Sequence, residues 1–142
     1  MMRFHGLWVT LLLSAAAFAA GAARVDAAEK ILDYRSDIVV GKDGKLTITE
    51  TIKVRAEGRK IKRGIYRDLP TDYRDPGRGR VRVGYDVLAV TRDGKTEPWH
   101  VSDKRSGYKR IYIGDKNRNV KKGEHTYTIK YKPTRPMVGF FD

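Results

Sequence analysis

Between Lys45 and Arg55 apolar and polar residues alternate without a break. Leu46, Ile48, Ile52 and Val54 fall on one side, and Thr47, Thr49, Thr51 and Lys53 on the other. A period of two belongs to a pleated strand, so this segment can bury one side only as part of a sheet. The pattern recurs along the chain. Ile31 to Val40 groups Leu32, Tyr34, Ile38 and Val40, and Glu124 to Lys132 sets His125, Tyr127, Ile129 and Tyr131 against threonines and lysines. Arg80 to Thr91 carries Val81, Val83, Tyr85 and Val87 in one phase but Leu88 and Val90 in the other. A central strand, or a bulge that swaps the faces, produces such a pattern. Thr96 to Val101 and Tyr108 to Ile113 read as shorter strands, and Gly114 to Gly123 as a charged turn region.

Asp43-Gly44 and Asp93-Gly94 supply pairs that accept positive φ, the local signal for a tight hairpin. Helical periodicity is nearly absent after residue 27. Some six short strands separated by turn signals predict an all-β fold, an antiparallel β-sandwich of immunoglobulin-like architecture. The stretch 58–79, with Pro70 and Pro76, reads as a long irregular connection, a length at which loops are usually functional.

Ahead of these strands the chain has a different character. Arg3 is followed by an uncharged stretch from Phe4 to Ala23 and then by small residues ending Val25-Asp26-Ala27. A cationic start, an apolar middle and a small-residue exit make up a secretory leader, here an N-terminal signal helix over residues 1–27 with cleavage expected after Ala27. Retention of 1–27 as an uncleaved anchor is the other reading. Its apolar middle only just approaches the roughly 20 residues of a spanning helix, and it is mostly alanine. Removing residues 1–27 from the 142-residue chain leaves 115, the size of one domain, with no cysteine to staple it. The apolar end Met137-Val138-Gly139-Phe140-Phe141 follows Pro133 and Pro136 and reads as an interruption, so that 28–142 is expected to be a truncated extracytoplasmic β-sandwich domain.

The formal charge is +13, and +12 without the leader's Arg3, Arg24 and Asp26. In a cytosolic protein such an excess would point first to nucleic acid. An exported chain meets lipid headgroups and envelope polymers instead, so the expected partner is an anionic envelope component or a protein, with no nucleic acid.

One segment concentrates hydrogen-bonding groups around two apolar anchors. Arg63, Tyr66, Arg67 and Asp68 surround Ile65 and Leu69, which makes a binding lip of guanidinium forks for carboxylate or phosphate. The competing reading is a structural loop pinned by an Arg67–Asp68 or an Arg63–Glu50 pair. Glu50 falls in the phase of Ile48 and Ile52, where a carboxylate needs a cation beside it. Among the aromatics Trp99, beside Pro98 and His100, is the expected exception to a role in the sheet. His100 and His125 are too few and too widely spaced for a metal centre. His100, Ser102 and Asp103 supply triad residue types without the separate elements or the nucleophile turn of a hydrolase. Asp115-Lys116-Asn117-Arg118-Asn119 imitates a calcium loop but has Val120 at its sixth position and Thr126 at its twelfth. No cofactor is implied, and no catalytic or metal-binding residue.

Taken together, several segments resemble one family. They are Glu29 to Tyr34 (EKILDY), Gly44 to Val54 (GKLTITETIKV), Arg63 to Pro70 (RGIYRDLP), Arg80 to Asp93 (RVRVGYDVLAVTRD), Ile111 to Asp115 (IYIGD) and Gly123 to Tyr131 (GEHTYTIKY). This pattern resembles the N-terminal domain, of unknown function, of the YciQ-like predicted bacterial membrane proteins. The resemblance runs from about Glu29 to Asp142, and its most specific part is Arg63 to Pro70, which strand periodicity does not explain. It implies an exported β-sandwich on the outer side of the cytoplasmic membrane, joined to the membrane by segments missing from this chain. It carries over no site residues. The expected function is therefore non-enzymatic interaction or sensing at the cell envelope. A free secreted basic protein binding anionic polymer or lipid is the alternative, and an envelope hydrolase a more distant one.

Overall fold

The computed structural model describes residues 28–103 and 106–135. The expected signal helix, its cleavage point and the apolar end of the chain fall outside the described residues.

Among the described residues there are ten strands and no helix: β1 (Lys30–Val40), β2 (Leu46–Ala56), β3 (Gly64–Pro70), β4 (Asp72–Asp75), β5 (Gly79–Arg82), β6 (Tyr85–Arg92), β7 (Lys95–Thr96), β8 (Trp99–Ser102), β9 (Tyr108–Gly114) and β10 (Gly123–Pro133). All pairings are antiparallel. They form a five-stranded sheet in the order β1-β2-β10-β6-β7, a three-stranded sheet β3-β9-β8 and the hairpin β4-β5. Both Asp-Gly pairs lie in hairpin turns, but at Asp43-Gly44 only Gly44 has positive φ, 73°, in a loop closed by Gly41 N–H donating to the Lys45 carbonyl. Asp93 and Gly94 have φ of 52° and 76°, the double positive φ of the turn that matches strand twist.

The structure corrects the sequence reading in three places. The stretch 58–79 is not irregular, since it contains β3 and most of the β4–β5 hairpin. Arg80 to Thr91 is two strands, broken where Val83 N–H donates to the Thr71 carbonyl and Gly84 N–H to Thr134 Oγ1. The expected face-swapping bulge does exist, at Leu88, because Lys130 pairs with Ala89 but Tyr131 with Val87. Thr96 to Val101 also divides, with β7 finishing the larger sheet and β8 opening the smaller one.

The alternation of β2 is realised in full: Ile48, Glu50, Ile52, Val54 and Ala56 are buried while the residues between them are half-buried. Tyr127, Ile129 and Tyr131 of β10 lie opposite Ile52, Glu50 and Ile48. These side chains share one cluster with Leu69, Ile111 and Ile113 of the smaller sheet and with Val83, Tyr85 and Val90. The outermost strand β1 stays exposed, with Ile38 and Val40 each at 58% despite their apolar phase.

Within this cluster sits one ion pair. Glu50 is 2% exposed. Arg67 of β3 donates to both of its oxygens, Nε to Oε2 at 2.7 Å and Nη2 to Oε1 at 2.9 Å. The Tyr131 hydroxyl donates to Oε1 at 2.8 Å, and Tyr34 adds a further hydrogen bond. The carboxylate's partner is thus Arg67 and not Arg63. Arg63 ends the loop before β3, whereas Arg67 follows Ile65 on the inner side of the strand. Burial alone would raise the Glu50 carboxyl, but the bonds from Arg67, Tyr34 and Tyr131 hold it below the usual carboxylate range. The bond to Glu50, against the cost of burial, raises the Arg67 guanidinium.

Removing one member of such a pair leaves the other charge uncompensated. Glu50→Ala is expected to cost about 3 kcal/mol or more, seen as a lower urea midpoint at unchanged slope. Replacing both members by apolar residues of similar volume, Glu50→Met with Arg67→Leu, should recover most of that loss.

A candidate binding notch on the outer side of the smaller sheet

Because Arg67 points inward with Ile65 and Leu69, the alternate residues of β3 point outward. The register then builds cross-strand rows on that side. Tyr66 lies opposite Tyr112, and Tyr112 opposite His100; Asp68, Arg110 and Ser102 form the next row. The His100 and Tyr112 rings stack at 4.7 Å between centroids with 13° between planes, and Tyr66 is tilted against Tyr112 at 6.3 Å. Arg110 fixes this wall. Its Nε and Nη2 donate to the two oxygens of Asp68 at 2.6 and 2.7 Å, and its guanidinium carbon lies 4.0 Å from the Tyr66 centroid. Paired this way with Asp68, the Arg110 guanidinium is raised above its ordinary value.

The row on the other side of the rings has no side chains. It consists of Gly64 opposite Gly114, with φ of +142° and +134°. A Cβ on Gly64 would stand 1.8 Å from the Ile113 carbonyl oxygen, and one on Gly114 1.9 Å from that of Arg63. Only glycine fits at either position. Bare backbone therefore floors a notch of about 470 Å³, walled by the rings and rimmed by Lys60, Lys62, Arg63, Asp115 and Lys116.

Two anchored segments carry the rim. The turn after β9 is held by Asp115 Oδ1, which accepts the Asn117 N–H at 2.8 Å, and by Val120 N–H donating to the Lys62 carbonyl at 2.8 Å. The calcium-loop look-alike is this turn. The loop before β3 closes around Glu29, whose carboxylate accepts the backbone N–H groups of Glu57, Arg59, Lys60 and Ile61. Desolvation raises that carboxyl, but the four amide bonds outweigh it and bring the group down to about 2.

Several basic residues near the sheets are neutralised by carboxylates. Arg55 and Lys53 pair with Glu124, Arg80 and Arg82 with Asp72, and Arg92 with Glu97. Among the described residues Lys60, Lys62, Arg63 and Lys116 take part in no ion pair, and all four are exposed.

Of the residues expected to form a binding lip, Arg63 and Tyr66 lie in the notch. Arg67 lies inside, on Glu50, and only its Nη1 turns back to the Asp68 carbonyl at 2.7 Å. The Asp68 carboxylate is engaged by Arg110, so the expected Arg67–Asp68 pair is a contact with backbone and not with the side chain. Trp99 is opposite Ile113, in the inward phase of β8, and lies outside the notch with 40% exposure. The sequence reading missed His100, Tyr112, Lys60, Lys62 and Lys116 as site residues. The signal for the cations was present in Lys60-x-Lys62-Arg63-Gly64 and Gly114-Asp115-Lys116, two basic turns each meeting a glycine. The two histidines belong to different sheets: His125 on β10 contacts Asp93 Oδ2 at 2.7 Å and the Lys121 carbonyl at 2.8 Å.

Glu29 gives the loop a definite acid response. A group whose folded pKa is depressed stabilises the fold above its unfolded value and loses that effect as pH falls through the folded one. Protection of the amides of residues 57–61 should therefore persist above pH 4.5 and decline towards about pH 2. Hydrogen exchange resolved by residue would show it, and Glu29→Gln should remove the transition.

Comparison with known proteins places this geometry in a family. The model of the predicted membrane protein (DUF2207) N-terminal domain matches residues 30–142. The chain is 41% identical over 90 residues to the "Uncharacterized protein YciQ" of Escherichia coli (strain K12), a stretch that is 63% of this chain and 14% of that protein. It thus spans a small part of the relative's length. No solved structure matches it. Among the described residues no helix is long and apolar enough to cross a membrane. With the family model matched from residue 30 to residue 142, this chain belongs to the DUF2207 family of predicted membrane proteins, as its N-terminal domain.

Proposed function

We propose that this domain is a non-enzymatic binding module, exported and held at the outer side of a membrane by the rest of its protein, which contacts an anionic component of the envelope. The observation that carries this reading is the notch, where four cations without carboxylate partners converge on a bare floor beside three fixed rings. Such groups bind and orient anions. The carboxylate at the rim, Asp115, is engaged by its own turn. Export is supported by the leader pattern of residues 1–27, and tethering by the family. A β-sandwich of immunoglobulin-like architecture is the matching finer reading of the fold, supported by the single cluster that both larger sheets share and by the Glu50–Arg67 tie between them.

Export is tested by fusing a phosphatase that is active only outside the cytoplasm after Asp142, where activity is expected. Binding is tested on isolated envelope material at increasing ionic strength. With a Debye length of about 14 Å at 0.05 M and 4 Å at 0.5 M, exposed cations should lose at least tenfold in affinity across that range. Salt-insensitive binding, or none at 0.05 M, would remove the anion-binding reading.

A further inference from the structure

The same chain shows how it holds a carboxylate. Glu50 and Asp68 are each met by one arginine fork, Arg67 and Arg110, donating to both oxygens in a plane. In both cases one carboxylate lies in the plane of one guanidinium. The notch is built differently. Three lysines and one arginine, carried by two separate segments, surround a floor from which Gly64 and Gly114 exclude every side chain. Lysine is a point charge with freely rotating donors, so lysines on two segments can meet a tetrahedral phosphate from more than one side. The fixed wall of Tyr66, Tyr112 and His100 then faces the organic part of a phosphate ester.

We propose that the notch is a receptor for a phosphate ester and that Glu29 is its positioning residue. This rests on the reading of the notch as an anion site and names the anion. Glu29 touches no ligand in this scheme. By gathering the amides of residues 57, 59, 60 and 61 it fixes the loop that carries Lys60, Lys62 and Arg63. The ester is borne by a lipid headgroup or by a soluble phosphodiester polymer, which share this chemistry.

Three probes separate the cases for the purified protein: a glycerol phosphate polymer, vesicles of phosphatidylcholine doped with phosphatidylglycerol, and polygalacturonate, a carboxylate polymer matched in charge. The phosphate probes should bind about tenfold more tightly than polygalacturonate. Preference for vesicles over the polymer identifies a headgroup source, and the reverse a soluble one. Lys62→Ala with Arg63→Ala and Lys116→Ala should lower phosphate affinity about tenfold. The control Arg74→Ala with Arg78→Ala and Lys95→Ala removes three exposed cations elsewhere and should lower it less than threefold.

Glu29→Gln gives a test of sign. It deletes a negative charge near the site, so charge alone would tighten anion binding, whereas loss of positioning should weaken phosphate binding several-fold. Polygalacturonate binding and the circular dichroism spectrum should stay unchanged, which sets unfolding aside. Equal affinity for all three probes, or equal losses in the two triple variants, would overturn the phosphate assignment while leaving salt-dependent anion binding in place. Tighter phosphate binding by Glu29→Gln would overturn the positioning role. No binding to any probe at 0.05 M salt would overturn the underlying anion-site reading as well.

Discussion

The Glu50–Arg67 pair decides how the two larger sheets meet. Glu50 belongs to β2, at the centre of the larger sheet's inner side, and Arg67 to β3, an edge strand of the smaller one. The pair therefore joins the sheets across the cluster, and Tyr131 and Tyr34 complete the coordination of the carboxylate. Its second consequence is register. In a strand a slip of one residue turns every side chain over, so holding Arg67 inward also holds Ile65 and Leu69 inward. Tyr66 and Asp68 are thereby committed to the outer side. Asp68 then takes Arg110 through both oxygens, and Arg110 lies on the Tyr66 ring. The wall of the notch is the outward expression of a contact made inside.

That dependence explains what the sequence disclosed and what it concealed. The strand β2 was legible because its alternation is complete and both of its neighbours are strands, so each inner residue finds cover. β1 has an equally clear pattern, yet its apolar phase stays exposed, because the cover an edge strand receives is a property of the whole chain. β3 was concealed for a local reason: a charged residue, Arg67, occupies the centre of its inner phase, which makes the segment look like a loop. The need of Glu50 for a cation was legible from phase alone. Which cation supplies it was not, since Arg63 and Arg67 differ only by whether the strand has begun.

For the notch, Arg63 and Tyr66 were legible as members of an unusual run, while Tyr112 and His100 were not. Their relation to Tyr66 is one of cross-strand register, which arises only when β9 lies between β3 and β8. Trp99 misled because Pro98 and His100 beside it suggested a loop, whereas it occupies the inward phase at the end of an edge strand. Asp93-Gly94 and Asp43-Gly44 were legible as hairpin turns, since these depend on neighbouring residues and on nothing distant.

The division of charge follows from the same construction. An excess of +12 over the chain after residue 27 would be costly if spread evenly over so small a domain, through self-repulsion of the compact state. The fold instead uses its acidic residues selectively. Glu50, Asp68, Asp72, Glu97 and Glu124 each neutralise an arginine near a sheet, and Asp72, Glu97 and Glu124 serve two cations apiece. Glu29 lies close to the basic loop yet binds only its backbone among the contacts described, so it shapes the loop without quenching a side-chain charge at the rim. At the rim the one carboxylate among the lining residues, Asp115, accepts an amide of its own turn. A site that presents positive charge gains from that arrangement, and the side-chain-free pair Gly64 and Gly114 leaves bare backbone beside those cations.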